Sequence, residues 1–385
     1  MAGAAAAQTV VGVTDASIKI GSINPYSGPA SAYGQIGETI DKCFEMVNAG
    51  GGINGRTIDF IAYDDGYQPP RTVEQARKLV ESDKVALIFQ ALGTPTNSAI
   101  HRYMNARKVP HLFVATGASK WGDPENYPWT MGWQPNYPTE AKIYAKYIQD
   151  NLPDAKIAIL YQNDDYGKDY LNGFKEGLGD AASQIVSEMP YEVADPTVDS
   201  QVISMKASGA DVFFNITTPK FAAQAIKKAH EIDWNPTHFL NNVSISVGSV
   251  LKPAGLEASK GLITVGYQMD PTDPQFADHP ERVEWVEFMN EWYPDGDQTS
   301  SFTAYGWAAC QTMIHVLEQS GDDLSRENIM EQAANIRNLR VPMLLPGITI
   351  NTSPTDFNPI ESMQLQRFNG ESWELFGDLI GAESS

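Results

Sequence analysis

The residues here whose types and spacing could do chemistry are hydroxyls, amides and aromatic rings gathered in short turns. The stretch Leu92-Gly93-Thr94-Pro95-Thr96-Asn97-Ser98 follows an apolar run, Val85 to Phe89, that reads as a buried strand. It precedes Ala99 to Met104, which reads as a helix. Thr94 fits the N-cap and Pro95 the first helical position. A strand ending in such a turn offers free backbone N–H groups, hydroxyls and the positive end of a helix dipole, a seat for a small anion such as a carboxylate. Helix capping alone also accounts for Thr94.

The other chemistries are poorly supplied. No G-x-S-x-G elbow, Walker loop or H-E-x-x-H occurs. His101, His230 and His315 fall in helical stretches, and neither Cys43 nor Cys310 lies in a strand-end loop. Asp64-Asp65 ends a strand with Arg71 close behind, which reads as a solvated turn better than as a metal site. Tyr305 and Met313 sit at helical spacing and read as core. The expectation is no catalytic centre, no metal and no cofactor.

The composition bounds what these turns can serve. The chain has 385 residues, enough for two domains, and 42% of them are hydrophobic. A net charge of -21, from 27 Lys+Arg against 48 Asp+Glu, repels nucleic acid and anionic membranes. An anionic ligand must therefore be captured by local dipoles against the global field. No stretch has the 18 or more consecutive apolar residues of a membrane span. Ala2-Gly3-Ala4-Ala5-Ala6-Ala7-Gln8 reads either as the small-residue end of a secretory signal or as a tail. Cys43 and Cys310 lie in apolar-periodic helices, where a buried free thiol is the default and a disulfide stays open.

The elements that must position the turns alternate. Ser17 to Ile23, Ile58 to Tyr63, Val85 to Phe89 and Val109 to Val114 read as strands, with amphipathic helices between them. This β-α-β-α-β-α-β pattern implies a parallel sheet covered on both faces. The alternation restarts after Trp133-Gln134-Pro135, with strands at Ile157 to Tyr161, Asp211 to Ile216, His238 to Leu240 and Leu262 to Val265. Gly50-Gly51-Gly52 follows a helix instead of opening one, so it is no phosphate loop. Thr217-Thr218-Pro219 reads as a second threonine-capped helix start. Near the end, Met363 to Arg367 and Trp373 to Leu375 flank Asn369-Gly370, a hairpin signal.

Ligands of open parallel sheets bind beyond the carboxyl ends of the strands. The loops there are Tyr26 to Tyr33, Gly93 to Thr96, Thr116 to Trp121, Asp165-Tyr166, Thr217-Thr218 and Asn241 to Ser244. Their Thr, Ser, Tyr and Asn content suits a hydrogen-bonding pocket with aromatic walls.

Ile20 to Pro29, Tyr33-Gly34, Asn48 to Gly55, Tyr63-Asp64-Asp65 and Asp164-Asp165-Tyr166-Gly167 together resemble the branched-chain amino-acid (Leu/Ile/Val) binding proteins of bacterial ABC transporters. The resemblance implies a type I periplasmic binding fold, with two Rossmann-like doubly wound α/β lobes joined by three crossovers. The lobes implied are residues 1–136 with 268–345 and 137–267 with 346–385, and a ligand is trapped in the cleft as they close. It implies a monomer exported to the periplasm through a signal peptide, with an ABC permease as partner. The family's carboxylate seat maps onto Gly93, Thr94, Thr116, Gly117 and Ala118, with Thr96 beside it. Its first-loop and second-lobe aromatics map onto Tyr33 and Tyr166. Trp121 and Tyr267 are further walls, and Thr217 and Val243 face them from the second lobe.

Two departures are informative. The family's amino-acid binders hold the ligand ammonium with a second-lobe acid, and Asn241-Asn242-Val243-Ser244 has none. An unpaired buried ammonium would be costly. A disulfide common in the family, between the second-strand and third-strand loops, is replaced by Tyr67 and Leu92. The expected ligand is therefore an aromatic or other hydrophobic organic acid. A branched-chain or other amino acid, or a role as a sensory ectodomain, are the alternatives.

Overall fold

A computed structural model describes residues 10–381. The first sheet contains β1 (Ser17–Asn24), β2 (Thr57–Asp64), β3 (Leu87–Phe89), β4 (His111–Val114) and β5 (Thr130–Gly132), all parallel, in the order β2-β1-β3-β4-β5. Helices α1 (Gly34–Ala49), α2 (Pro69–Arg77) and α3 (Thr94–Ala106) connect its first four strands. Their apolar stripes, such as Ile36, Ile40, Cys43 and Phe44 on α1, are buried against Ile18, Ile20, Leu87 and Phe89 of the sheet.

The second sheet repeats the plan. After α4 (Tyr137–Asn151) come β6 (Ile157–Gln162), α5 (Asp165–Leu178), β7 (Ile185–Tyr191), α6 (Asp199–Ala207), β8 (Val212–Ile216), α7 (Pro219–Glu231) and β9 (Thr237–Leu240). Two helical turns, α8 (Lys252–Ala254) and α9 (Leu256–Ser259), precede β10 (Ile263–Gly266). The strand order β7-β6-β8-β9-β10 reproduces β2-β1-β3-β4-β5, so both sheets are wound the same way. The hairpin β11 (Ser362–Phe368) and β12 (Trp373–Gly381) adds two antiparallel strands to the β10 edge. The short β5, and β7 with α6, carry too few alternating apolar residues to stand out in the sequence.

The remaining helices, α10 (Pro280–Trp292), α11 (Ser301–Ser320) and α12 (Arg326–Ala333), return to the first sheet. The Arg326 guanidinium donates to the carbonyls of Val85 and Ala86 at 2.9 Å each. Cys43 on α1 and Cys310 on α11 are joined in a disulfide, with their Cα atoms 6.5 Å apart. The default of two separate buried thiols is thereby corrected: two helices that pack face to face bring the sulfurs together, which spacing along the chain does not reveal.

The chain passes between the sheets after β5, after β10 and before β11. The second passage runs antiparallel to residues 343–345, with Gln268 bridged to Leu344 and the Met269 N–H donating to Met343 at 2.8 Å. Residues 346–360 lie on the first sheet's side. Thr352 donates to the Ala333 carbonyl and accepts from the Ile336 N–H. The signal-like Ala2 to Gln8 lies outside the described residues. Among the described residues, no helix is long and apolar enough to cross a membrane.

Candidate functional site

The strand order of each sheet reverses between its first and third strands, β1 and β3 in one, β6 and β8 in the other. Loops diverge at such a point and leave a crevice. The four loops that follow these strands meet across one cavity. Tyr33 follows β1, Gly93 and Thr94 follow β3, Tyr166 follows β6, and Thr218 follows β8. The empty volume is about 760 Å³, counting its open mouth. No Lys, Arg or His is among its lining residues. Tyr33, Tyr67, Tyr137, Tyr166, Tyr267, Phe302 and Tyr305 give its walls seven aromatic rings.

Thr94 is not the N-cap. Gly93 occupies that position with φ 96°, Thr94 and Pro95 begin the helix, and no side chain caps it. A Cβ at Gly93 would lie 2.3 Å from the Tyr67 ring, so glycine is required twice over, by sterics and by backbone. Released from capping, the Thr94 hydroxyl lies 2.6 Å from that of Thr116. Thr116 Oγ1 already receives the Tyr137 hydroxyl at 3.2 Å, the Trp121 indole N–H at 3.3 Å and the Ala118 N–H at 3.3 Å. Either hydroxyl of the pair can be the donor; in the arrangement where Thr116 gives its proton to Thr94, the Thr94 O–H is left to donate into the cavity. The first turn of α3 adds backbone N–H groups without intrahelical partners.

The twelve residues expected at the site divide accordingly. Tyr33, Gly93, Thr94, Tyr166, Val243 and Tyr267 line the cavity. Thr116, Gly117, Ala118 and Trp121 stand behind it and orient what lines it. The Gly117 carbonyl accepts from the Tyr137 N–H at 2.8 Å, and Trp121 is buried edge-on against His101. Thr96 is turned inward onto the carbonyls of Leu92 and Gly93. Thr217 is buried against Asn215 and its neighbour Thr218 faces the cavity instead, with no side-chain cap at this helix either.

The second-lobe side is built on a buried carboxylate. Glu140 accepts from the hydroxyls of Tyr144 at 2.8 Å and Tyr170 at 2.7 Å, and from the Asn242 N–H at 2.7 Å. Burial pushes its carboxyl up to about 7, against these donors that favour the ionised form. The loop Asn241 to Ser244 indeed lacks an acid of its own, but this one holds it from beneath. Tyr166 donates to the Asn241 amide oxygen at 2.5 Å in the amide orientation that satisfies both groups.

Several lining residues carry no local signal in the sequence. Tyr305 was expected in the core, yet it faces the cavity and its hydroxyl reaches Gln134 at 3.2 Å. Tyr67 and Leu92, the residues in place of a family disulfide, both line it. Tyr67 is held at φ 61° by Asp65, whose carboxylate takes the Tyr67 N–H at 2.8 Å and the Thr72 hydroxyl at 2.7 Å. Asp65 is therefore buried in a turn instead of solvated. Its neighbour Asp64 binds Ser27 and lies 3.5 Å from Arg71. Asp270 and Gln366 also line the cavity and come from the second crossover and the hairpin.

The cleft is clasped across the cavity and at its rims. Tyr33 donates across it to the Val243 carbonyl at 3.0 Å. On one rim the Ser119 N–H and hydroxyl bind Asp169 at 2.7 and 2.9 Å, and Lys120 meets Asp165 at 2.5 Å. On the other, Ser249 approaches Gln35 and Ser300.

The family model for periplasmic binding proteins matches residues 17–372. The chain belongs to the periplasmic binding protein family. A curated relative of this binding protein, Leu/Ile/Val-binding protein homolog 7 of Brucella abortus (strain 2308), is 24% identical over 328 residues, covering 82% of this chain and 80% of its own. A branched chain amino acid ABC transporter structure from Thermus thermophilus, with bound valine, superposes with a TM-score of 0.85 at 14% identity, covering 96% and 97% of the two chains. A solute binding protein of an ABC transporter from Rhodopseudomonas palustris BisB5, in complex with 3,4-dihydroxy benzoic acid, gives 0.78 at 20% identity, covering 95% and 98%. The fold is thus the type I periplasmic binding fold.

Proposed function

We propose that this binding protein captures a small carboxylate-bearing molecule, an aromatic or other hydrophobic organic acid, and presents it to the permease of an ABC importer. The observation that carries the reading is the Thr94–Thr116 pair at the start of α3. It places the Thr94 hydroxyl and a helix N-terminus at a cavity whose lining holds no cation. The aromatic walls favour a flat or apolar ligand body. Capture proceeds by hinge closure of the lobes 1–136 with 268–345 and 137–267 with 346–385, residues 346–360 lying as a strap on the first. The ligand stabilises the closed population through contacts made from both sides. The protein acts as a monomer without cofactor. Export to the periplasm is supported by the family and by the Cys43–Cys310 bond, which needs an oxidising compartment.

An α-amino acid is the second reading. The Asp270 carboxylate in the lining favours it, and a structural neighbour holds valine. A thermal-shift panel of benzoates, phenylpropenoates and amino acids separates the two. A ligand at about one hundred times its Kd adds about 2.7 kcal/mol of stability. Shifts with the acids are expected. Shifts with leucine or valine and none with the acids would overturn the proposal.

A further inference from the structure

Two polar side chains in the cavity lining end in atoms that nothing in the protein satisfies. Asp270 is only 6% exposed. Its Oδ1 accepts from the Thr272 N–H at 2.8 Å and from the Thr272 hydroxyl, while its Oδ2 is buried without a partner. Asp270 takes part in none of the ion pairs among the described residues. Arg282, the cation closest in effect, is committed to the carbonyls of Pro271 and Ala277. Two residues earlier, on the segment bridged to Leu344, Gln268 also lines the cavity, and its side-chain Nε2 is buried without an acceptor. Residues two apart on an extended chain present their side chains to the same side.

A bare buried donor and a bare buried acceptor are each costly, and they persist in native proteins where a ligand completes them. They are also complementary. A hydroxyl accepts from Gln268 and donates to Asp270. An ammonium has no lone pair and would leave the Gln268 donor bare, and a methyl would leave both bare. A second carboxylate would face the Asp270 charge, so this end of the cavity turns the ligand's own carboxylate towards Thr94.

We infer that Gln268 and Asp270 form a hydroxyl-recognition subsite and that the substrate class is hydroxylated organic acids, a conclusion that rests on the acid reading above. Asp270 is here a specificity-determining residue: the carboxylate is seated elsewhere, and Asp270 reads the far end.

The test is calorimetric titration of the full chain with benzoate, 2-, 3- and 4-hydroxybenzoate, 3,4-dihydroxybenzoate, cinnamate and 4-hydroxycinnamate, with 4-(aminomethyl)benzoate as the ammonium probe. At least one hydroxylated acid is expected to bind tenfold or more tightly than its parent, and the ammonium probe no better than the parent. In Asp270→Asn, Thr272 keeps the amide oxygen at the Oδ1 position, so the new NH2 replaces the free acceptor. The hydroxylated acid should then lose its advantage over the parent acid measured in the same variant. If parent acids bind and no hydroxyl improves them, the subsite is overturned and the acid reading stands. Tightest binding by the ammonium probe overturns the hydroxyl assignment. If amino acids bind and no acid does, both readings fall. The wild-type series decides even if the variant does not fold.

Discussion

The two walls of the cleft handle buried polarity in opposite ways. On the first wall, around Thr94 and Thr116, neutral hydroxyls are chained to one another and the chain ends at Thr94 on the cavity, where an O–H can donate. On the second, around Glu140, a carboxylate collects the hydroxyls of Tyr144 and Tyr170 and the N–H of Asn242 and offers nothing outward. One wall ends in a donor and the other in a filled acceptor. An anion is welcomed on one side only, so the ligand's orientation follows from hydrogen-bond polarity although no cation lines the site.

The contrast breaks most visibly at Glu140. Glu140→Ala leaves the buried Tyr170 hydroxyl and Asn242 N–H bare, while Tyr144 keeps the Leu240 carbonyl, and should destabilise the ligand-free protein by about 3 kcal/mol, read by urea unfolding. A loss under about 1 kcal/mol would mean that the carboxylate does not hold this wall. The same group makes stability depend on pH. Burial holds Glu140 up to about 7 and Asp270 up to about 6, so between the ordinary carboxylate range and these values the folded protein binds more protons than the unfolded chain. Ligand-free stability should therefore fall as pH rises from about 5 to about 7, on the order of 2 kcal/mol, and level off above. Glu140→Gln should flatten the profile; an unchanged slope would assign it to other groups.

The first wall is tested through affinity instead. Thr94→Ala should weaken binding of an organic acid by roughly 1–2 kcal/mol with little loss of stability, and Thr94→Ser should restore most of it. Equal affinity in calorimetry would remove Thr94 from the seat. Smallest of all is the rim. Lys120→Ala removes a partly exposed pair with Asp165 and should cost about 0.5 kcal/mol of affinity, vanishing at high salt. A salt-independent loss would show that Lys120 acts through its contact with Ser98.

The first wall was far more legible than the second. Thr94, Tyr33 and Tyr166 sit in turns directly after strands, where residue type and position both point to the cavity. Even there Thr94 looked like a cap, because capping and ligand binding ask for the same side chain. Glu140 looks like any acid in the first turn of a helix until Asn242, 102 residues on, is laid against it. Tyr305 was hidden by the apolar periodicity of α11, which is buried on nearly every side. Asp270 and Gln366 lie on a crossover and a hairpin edge, whose course the local pattern does not encode. The repeated strand order was readable as a repeat, but the return of α10, α11 and α12 to the first sheet depends on packing.

That return has a topological consequence. Cys43 and Cys310 are 267 positions apart, and everything between them, including β6 to β10 of the second sheet, hangs on a covalent ring. In a chain-entropy picture, a ring of that size restricts the unfolded ensemble by about 5–6 kcal/mol. A single cut anywhere within the ring leaves two fragments that migrate as one molecule until they are reduced. The protein can be nicked at a surface loop of either lobe without coming apart.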